Sequence, residues 1–325
     1  MRVLVGDIGG TKTGLAVAEV AGGAVTLTGE RRYPSGDYAA LGEILQRYLD
    51  ETDVVCELGS FAIAGPVVDG RSRTTNLPWE LDAEDLSRRL DLRRVRLLND
   101  LEAVAWGIPA LSGDDLAELQ PGALDAAGNA CVVAAGTGLG QAGLYWDGRI
   151  HHPFASEGGH TDFAAVDAVE QKLLADLQHR YGRVSWERLV SGQGIGNIYR
   201  FLASERGIAH APAIAEALSG DGDVAAEVAA TAHAGCPVCN ETLDLFVRLY
   251  GREAGNAALK YMALGGVYLG GGIAPKNLAR LRKPGFLDAF RDKGRMCELM
   301  ERMPVRVILS SQTPLLGAAR FVAGD

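Results

Sequence analysis

Two glycine-rich stretches carry residue types suited to holding phosphate. Gly6-Asp7-Ile8-Gly9-Gly10-Thr11-Lys12 lies within VLVGDIGGTKTGLAVAEV (3–20), and Gly136-Thr137-Gly138 lies within VVAAGTGLGQAGLYWDG (132–148). Both read as apolar strand, tight turn and alternating strand, and such a hairpin turn exposes successive backbone N–H groups that bind phosphate oxygens. Two of them in one chain point to a triphosphate held from both sides. Asn99-Asp100 closes the short apolar run Val95–Leu98, placing a carboxylate at a strand end where a general base can work. Asp100 is equally a favoured N-cap for a helix over Leu101–Gly107. Glu157-Gly158-Gly159-His160 sets a carboxylate and an imidazole around exposed backbone, which suits a polyhydroxylated ligand. The bland alternative is a glycine turn with incidental polar neighbours.

Each pattern has a lookalike that fails on its surroundings. The first stretch nearly spells a P-loop, but Thr11 replaces the glycine before Lys12, and the residues after it, Gly14–Val20, read as a returning strand and not as the helix a P-loop needs. Gly138-x-Gly140-x-x-Gly143 matches a dinucleotide fingerprint, yet Leu144–Gly148 continues as strand and turn. Glu157 and His160 have the spacing of a di-iron pair, but the intervening glycines oppose a helix and no second Glu-x-x-His follows.

Helical periodicity runs over 37–51, a buried strand over 60–66, a second helix over 83–91 and a strand over 95–98. Strand alternating with helix implies an α/β sheet, whose ligands collect at the strand carboxyl ends. The Gly-, Pro- and Asp-rich stretch 109–128 reads as a hinge. A second α/β unit starts at Ala130 and is largely helical over 165–262. Gly270-Gly271-Gly272 then closes an apolar strand, either as a sharp strand-to-helix turn or as a surface on which a flat ring such as adenine can lie. Val305–Leu309 and Thr313–Ala323 give a final strand and helix that pack back on the first domain. The expected division is 1–110 plus 301–325 for a small domain and 111–300 for a large one.

The chain has 325 residues, 47% hydrophobic and 22% charged, with a net charge of −9. That is long for one core and too acidic for a nucleic-acid binder. It contains no run of the roughly 20 apolar residues that a membrane span needs. Without a signal peptide at the start of the sequence, a cytoplasmic protein is expected. An anionic substrate must then rely on backbone donors and a divalent cation. Cys56, Cys131, Cys236, Cys239 and Cys297 read as thiols: Cys236-Pro-Val-Cys239 lacks the partners of a zinc site, so no structural zinc is expected.

Taken together, the motifs resemble the bacterial glucokinases of the hexokinase-like branch of the actin/hexokinase/Hsp70 ATPase superfamily, over essentially the whole chain. Gly6, Asp7, Gly9, Gly10 and Thr11 look like the first phosphate motif, Gly136, Thr137 and Gly138 like the second, and 265–272 like the adenosine motif. Asn99, Asp100, Glu157, His160 and Glu187 match the family's sugar-binding residues. Lys12 departs from the Asn common in this subgroup. It is similar to the repressor and sugar-kinase group, whose cysteine cluster is absent from 161–170. The resemblance implies an actin-like, ribonuclease H-like fold of two α/β domains with a cleft between them, and transfer of phosphate from ATP to the 6-hydroxyl of D-glucose. It further implies Asp100 as general base and phosphates held by Gly9, Gly10, Thr11 and Thr137. Asp7 would hold Mg²⁺ directly or through water, and the protein would be a homodimer. A sugar kinase of the repressor group, a non-enzymatic ATPase switch and a sugar sensor are the alternative readings.

Overall fold

The computed structural model describes residues 1–74, 77–220 and 222–324. They form two compact units, one of Met1–Leu116, His152–Ala155 and Ser310–Asp325, the other of Ala117–His151 and Ser156–Leu309. In the first unit, β1 (Arg2–Ile8), β2 (Lys12–Ala21), β3 (Ala24–Pro34) and β4 (Leu58–Ile63) are followed by the short β5 (Val67–Val68), β6 (Arg71–Arg73) and β7 (Glu80–Asp82), and then by β8 (Arg94–Asn99). The main sheet has the order β3-β2-β1-β4-β8. β1 is antiparallel to β2, while β1, β4 and β8 run parallel.

Alternation along β1 supplies both faces of this sheet. Leu4 and Ile8 join Leu15, Phe61 and the buried Leu41, Ile44, Leu45 and Tyr48 of helix Leu41–Thr52. Val3 and Val5 join Ala16, Ala62 and helix Thr313–Ala323 on the other side. The parallel arrangement brings the carboxyl ends of β1, β4 and β8 to one edge, so Asp7, Gly65 and Asn99 share it.

A second sheet repeats the plan. β9 (Leu116–Gln120), β10 (Ala130–Ala135), β11 (Leu139–Trp146), β12 (His151–Ser156), β13 (Gly266–Gly270) and β14 (Val305–Ile308) form a sheet of order β12-β11-β10-β13-β14-β9. Here too a hairpin, β10 with β11, lies beside parallel strands, β13 and β14. The 25-residue helix Pro237–Tyr261 forms the spine of the core, with Phe246, Tyr250, Ala254 and Ala257 fully buried or nearly so.

Three expectations change. The first helix starts at Leu41, since Ser35–Asp37 is a separate 3₁₀ turn. The supposed hinge at 109–128 contains β9, and both β9 and β14 belong to the second sheet, so the unit boundaries fall at Leu116 and Ser310 instead of 110 and 301. The cap of helix Asp100–Gly107 is Asn99, not Asp100. Asn99 keeps extended dihedrals and accepts from the N–H groups of Leu101 and Glu102, while Asp100 is already helical.

The triple glycine is a strand-to-helix turn. Gly271 has φ +77°, and a Cβ there would lie 2.2 Å from the carbonyl oxygen of Ala135, whereas a Cβ on Gly272 would meet nothing within 4 Å. Gly271→Ala is therefore expected to lower the unfolding free energy by about 2 kcal/mol or more, through backbone strain and a clash. Gly272→Ala should stay within about 0.5 kcal/mol of the parent. Urea titrations of the two variants check this, and equal losses would contradict it.

Candidate active site

The first turn is closed by the Gly9 N–H, which donates to the Lys12 carbonyl at 3.0 Å. Ser35 braces it from beneath: its hydroxyl donates to the Gly9 carbonyl at 2.8 Å, its N–H donates to the Thr11 carbonyl at 3.0 Å, and Thr13 Oγ1 lies 3.0 Å from Ser35 Oγ. The second turn is closed in the same way, Gly136 N–H to Gly138 carbonyl at 2.9 Å, and is tied by Gly192 N–H to the Gly136 carbonyl at 2.8 Å. Gly9 and Gly136 thus spend the donors that the sequence offered to phosphate. Among the described residues, the N–H groups of Gly10, Thr11, Thr137 and Gly138 donate to no protein acceptor. Each turn therefore presents an unspent pair of donors. A Cβ on Gly136 would meet nothing within 4 Å, so the space at that glycine is open, whereas a Cβ on Gly138 would lie against Glu187 Oε2. Lys12 is exposed, and its carbonyl supplies the acceptor that closes the first turn.

Asp7 stands at the end of β1, beside the first turn. Burial raises its carboxyl from the ordinary 3.8 to about 6, against a smaller downward pull from the Arg32 guanidinium. Asn99 is engaged on both sides of its amide: besides capping the helix, its Nδ2 donates to the Gly65 carbonyl at 3.1 Å. It thereby joins the ends of β4 and β8. Asp100 follows in the first helical turn, and its Oδ1 accepts from the Leu101 N–H at 2.9 Å.

The second unit gathers the remaining polar candidates. His160 lies in a 3₁₀ turn over Gly158–His160, with Nε2 4.0 Å from Glu157 Oε2 and Nδ1 4.0 Å from Glu187 Oε1. Glu157 and His160 side chains are 71% and 58% exposed, Glu187 29%. The other oxygen of Glu187, Oε2, accepts from the Leu139 N–H at 2.9 Å, directly after the second turn. Glu187 thus links the second turn to the exposed carboxylate–imidazole pair. Gly270 pairs with Ala134 in register, which sets the strand-to-helix turn beside the second glycine-rich turn.

Ser35 is the residue that sequence reasoning missed. It lies 24 positions after Thr11 in a Pro-Ser-Gly turn with no periodic signal, and only the β2–β3 pairing brings it under the loop. Among the described residues no group of three or more His, Cys, Asp or Glu side chains is placed to hold a metal, and Cys236 and Cys239 are free thiols.

A family profile described as Glucokinase matches residues 4–324. A glucokinase of Trichormus variabilis is 41% identical over 99% of this chain and 98% of its own length, and one of Psychromonas ingrahamii is 35% identical over 98% and 96%. The chain belongs to the glucokinase family. It is an enzyme that phosphorylates glucose with ATP, and the readings as an ATPase switch or a sugar sensor fall away. The crystal structure of a glucokinase from an Antarctic psychrotroph superposes with a TM-score of 0.87 at 31% identity, covering 100% of this chain and 99% of that one. A ROK-family glucokinase from Streptomyces griseus, solved with glucose and AMPPNP, shares the fold at a TM-score of 0.65 and 19% identity, covering 100% of both chains. The fold is accordingly the actin-like ATPase fold of the sugar kinases.

The raised Asp7 carboxyl has a thermodynamic signature. With a folded value near 6 against 3.8, the native state binds more protons than the unfolded chain between those values, so this group's contribution to stability falls as pH rises from about 4 to 6. In metal- and nucleotide-free enzyme, Asp7→Asn should melt higher than the parent at pH 8, and the advantage should fade as pH falls through 6 toward 4. A Tm difference that does not change with pH would contradict the desolvation of Asp7.

Proposed function

We propose that the enzyme transfers the γ-phosphoryl group of ATP to the 6-hydroxyl of glucose with Asp100 as general base. The observation that carries this is the division of labour at the β8 end. Asn99 caps the helix, so the adjacent carboxylate of Asp100 is not needed as the cap, at the strand edge it shares with Asp7. Asp100 accepts the hydroxyl proton as the sugar oxygen attacks the γ-phosphorus in line, and the pair of electrons of the breaking bond stays on the β-phosphate oxygen. Glu157, His160 and Glu187 hold sugar hydroxyls: the carboxylates accept, and the imidazole donates or accepts according to its tautomer. Gly10, Thr11, Thr137 and Gly138 give their unspent N–H groups to phosphate oxygens, with Lys12 adding positive charge. The open side of Gly270-Gly271-Gly272 takes the adenine ring.

A divalent cation fits this donor set, with Mg²⁺ the one we propose. Asp7 offers a single hard carboxylate beside the phosphate turn, and Mg²⁺ keeps several waters and takes its other ligands from substrate phosphates. Asp7 would hold it, directly or through water, and its contribution when bound is to neutralise charge on the transferring phosphoryl group.

Asp100→Asn tests the central assignment. Asn keeps the size of Asp but cannot accept the proton, so kcat should fall by about 10²- to 10⁴-fold. The melting temperature should stay near the parent's, since the cap belongs to Asn99, and glucose affinity by direct binding should change only modestly. A folded variant that keeps more than about a tenth of kcat removes Asp100 from the mechanism.

A further inference from the structure

Beneath the Glu157–His160 turn lies a buried polar pair that the mechanism above does not use. Gln141, on β11 and 1% exposed, donates from Nε2 to Glu253 Oε1 at 2.6 Å. Glu253 is wholly buried in the middle of helix Pro237–Tyr261, and its other oxygen accepts from Asn256 Nδ2 at 3.1 Å. Burial pushes the Glu253 carboxyl up, while the two amides and the Lys260 and Lys293 ammonium groups draw it down. An apolar core would hold the strand and helix together at lower cost, since a buried carboxylate pays heavily for desolvation. Its chemistry provides what an apolar pair cannot, which is direction. A carboxylate only accepts, so the Gln141 NH₂ must face it and the amide oxygen must face the other way.

That oxygen faces the turn. A Cβ on Gly158 would lie 2.1 Å from Gln141 Oε1, and a Cβ on Gly159 would lie 1.9 Å from the Leu139 carbonyl oxygen. Residues 139 and 141 share one face of β11, so the two glycines rest directly on that strand. Gly158 is further held by its N–H to Ser156 Oγ at 3.1 Å and by Thr161 Oγ1 to its carbonyl at 2.7 Å.

We propose that Gln141 and Glu253 are positioning residues for the sugar: the carboxylate orients the amide, the amide oxygen sets the height of Gly158, and the turn thereby aims Glu157 and His160. The inference rests on the reading that those two side chains hold glucose. It assigns to the helix spine a part in sugar affinity, with no contact to substrate.

Steady-state kinetics with glucose and ATP varied separately test it, on Gln141→Leu, Glu253→Gln, Gln141→Leu/Glu253→Leu and His160→Ala. Gln141→Leu should raise the KM for glucose about tenfold or more and leave the KM for ATP within about twofold; Glu253→Gln, which loses the orienting rule but keeps a polar partner, should raise it less. Gln141→Leu leaves a buried carboxylate with fewer partners and should melt lower, whereas the double leucine variant removes both polar groups and should regain stability. If the pair positions the turn, the stable double variant keeps the raised glucose KM. If the double variant regains the parental KM together with its Tm, the pair is structural and the inference is wrong. A raised KM in His160→Ala with an unchanged KM in Gln141→Leu overturns the positioning role alone. Unchanged values in both overturn the sugar-site reading and this inference with it.

Discussion

One hydrogen bond closes each of the two glycine-rich turns on itself. Gly9 N–H to Lys12 carbonyl and Gly136 N–H to Gly138 carbonyl close the two loops on themselves, and among the described residues the N–H groups of Gly10, Thr11, Thr137 and Gly138 donate to no protein acceptor. A buried donor without a partner would cost about 1–3 kcal/mol, so the surrounding chain must leave those groups facing open space. The flanking strands make this possible, since seven residue pairs of β1 with β2 and six of β10 with β11 hold each hairpin in register up to the turn. Ser35 below one turn and Gly192 below the other take up the carbonyls, which would otherwise repel an anion at the same place.

The same economy extends to the polar cluster of the second unit. Glu187 uses one oxygen for the Leu139 N–H and keeps the other toward His160, so the segment that follows the second glycine-rich turn also fixes the polar cluster. Asn99 uses its amide oxygen for the helix cap and one N–H for the Gly65 carbonyl, while the Asp100 carboxylate next to it accepts from the Leu101 N–H. In both places a polar side chain braces the local backbone through one part of its head group. With a net charge of −9 the chain has no overall positive field to draw in an anion, which suits the proposed use of oriented local dipoles and a cation.

The hairpins were legible because their signal is local: apolar alternation on both sides of glycines over fewer than 20 residues. Helix Asp100–Gly107 and the strand before it were legible for the same reason. The identity of its cap was not, because Asn and Asp are equally good caps and only backbone dihedrals separate position 99 from position 100. β9 was hidden in a Gly- and Pro-rich stretch and exists because it forms the edge of a sheet whose neighbouring strand, β14, lies at 305–308. Ser35 and the Gln141–Glu253 pair were illegible in principle. Their partners are 26 and 112 residues away, and nothing in a serine or a glutamine announces a nonlocal acceptor. The candidate site residues lie in local motifs, whereas their supports are tertiary.

Residue-resolved amide hydrogen exchange, measured on the free enzyme and again with saturating Mg-AMPPNP, addresses the outward donors directly. Gly9 and Gly136 should be protected in both states, while Gly10, Thr11, Thr137 and Gly138 should exchange freely alone and become protected with nucleotide. Protection of those four in the free enzyme, or free exchange of the four at saturation, would contradict the account of how the two turns hold phosphate.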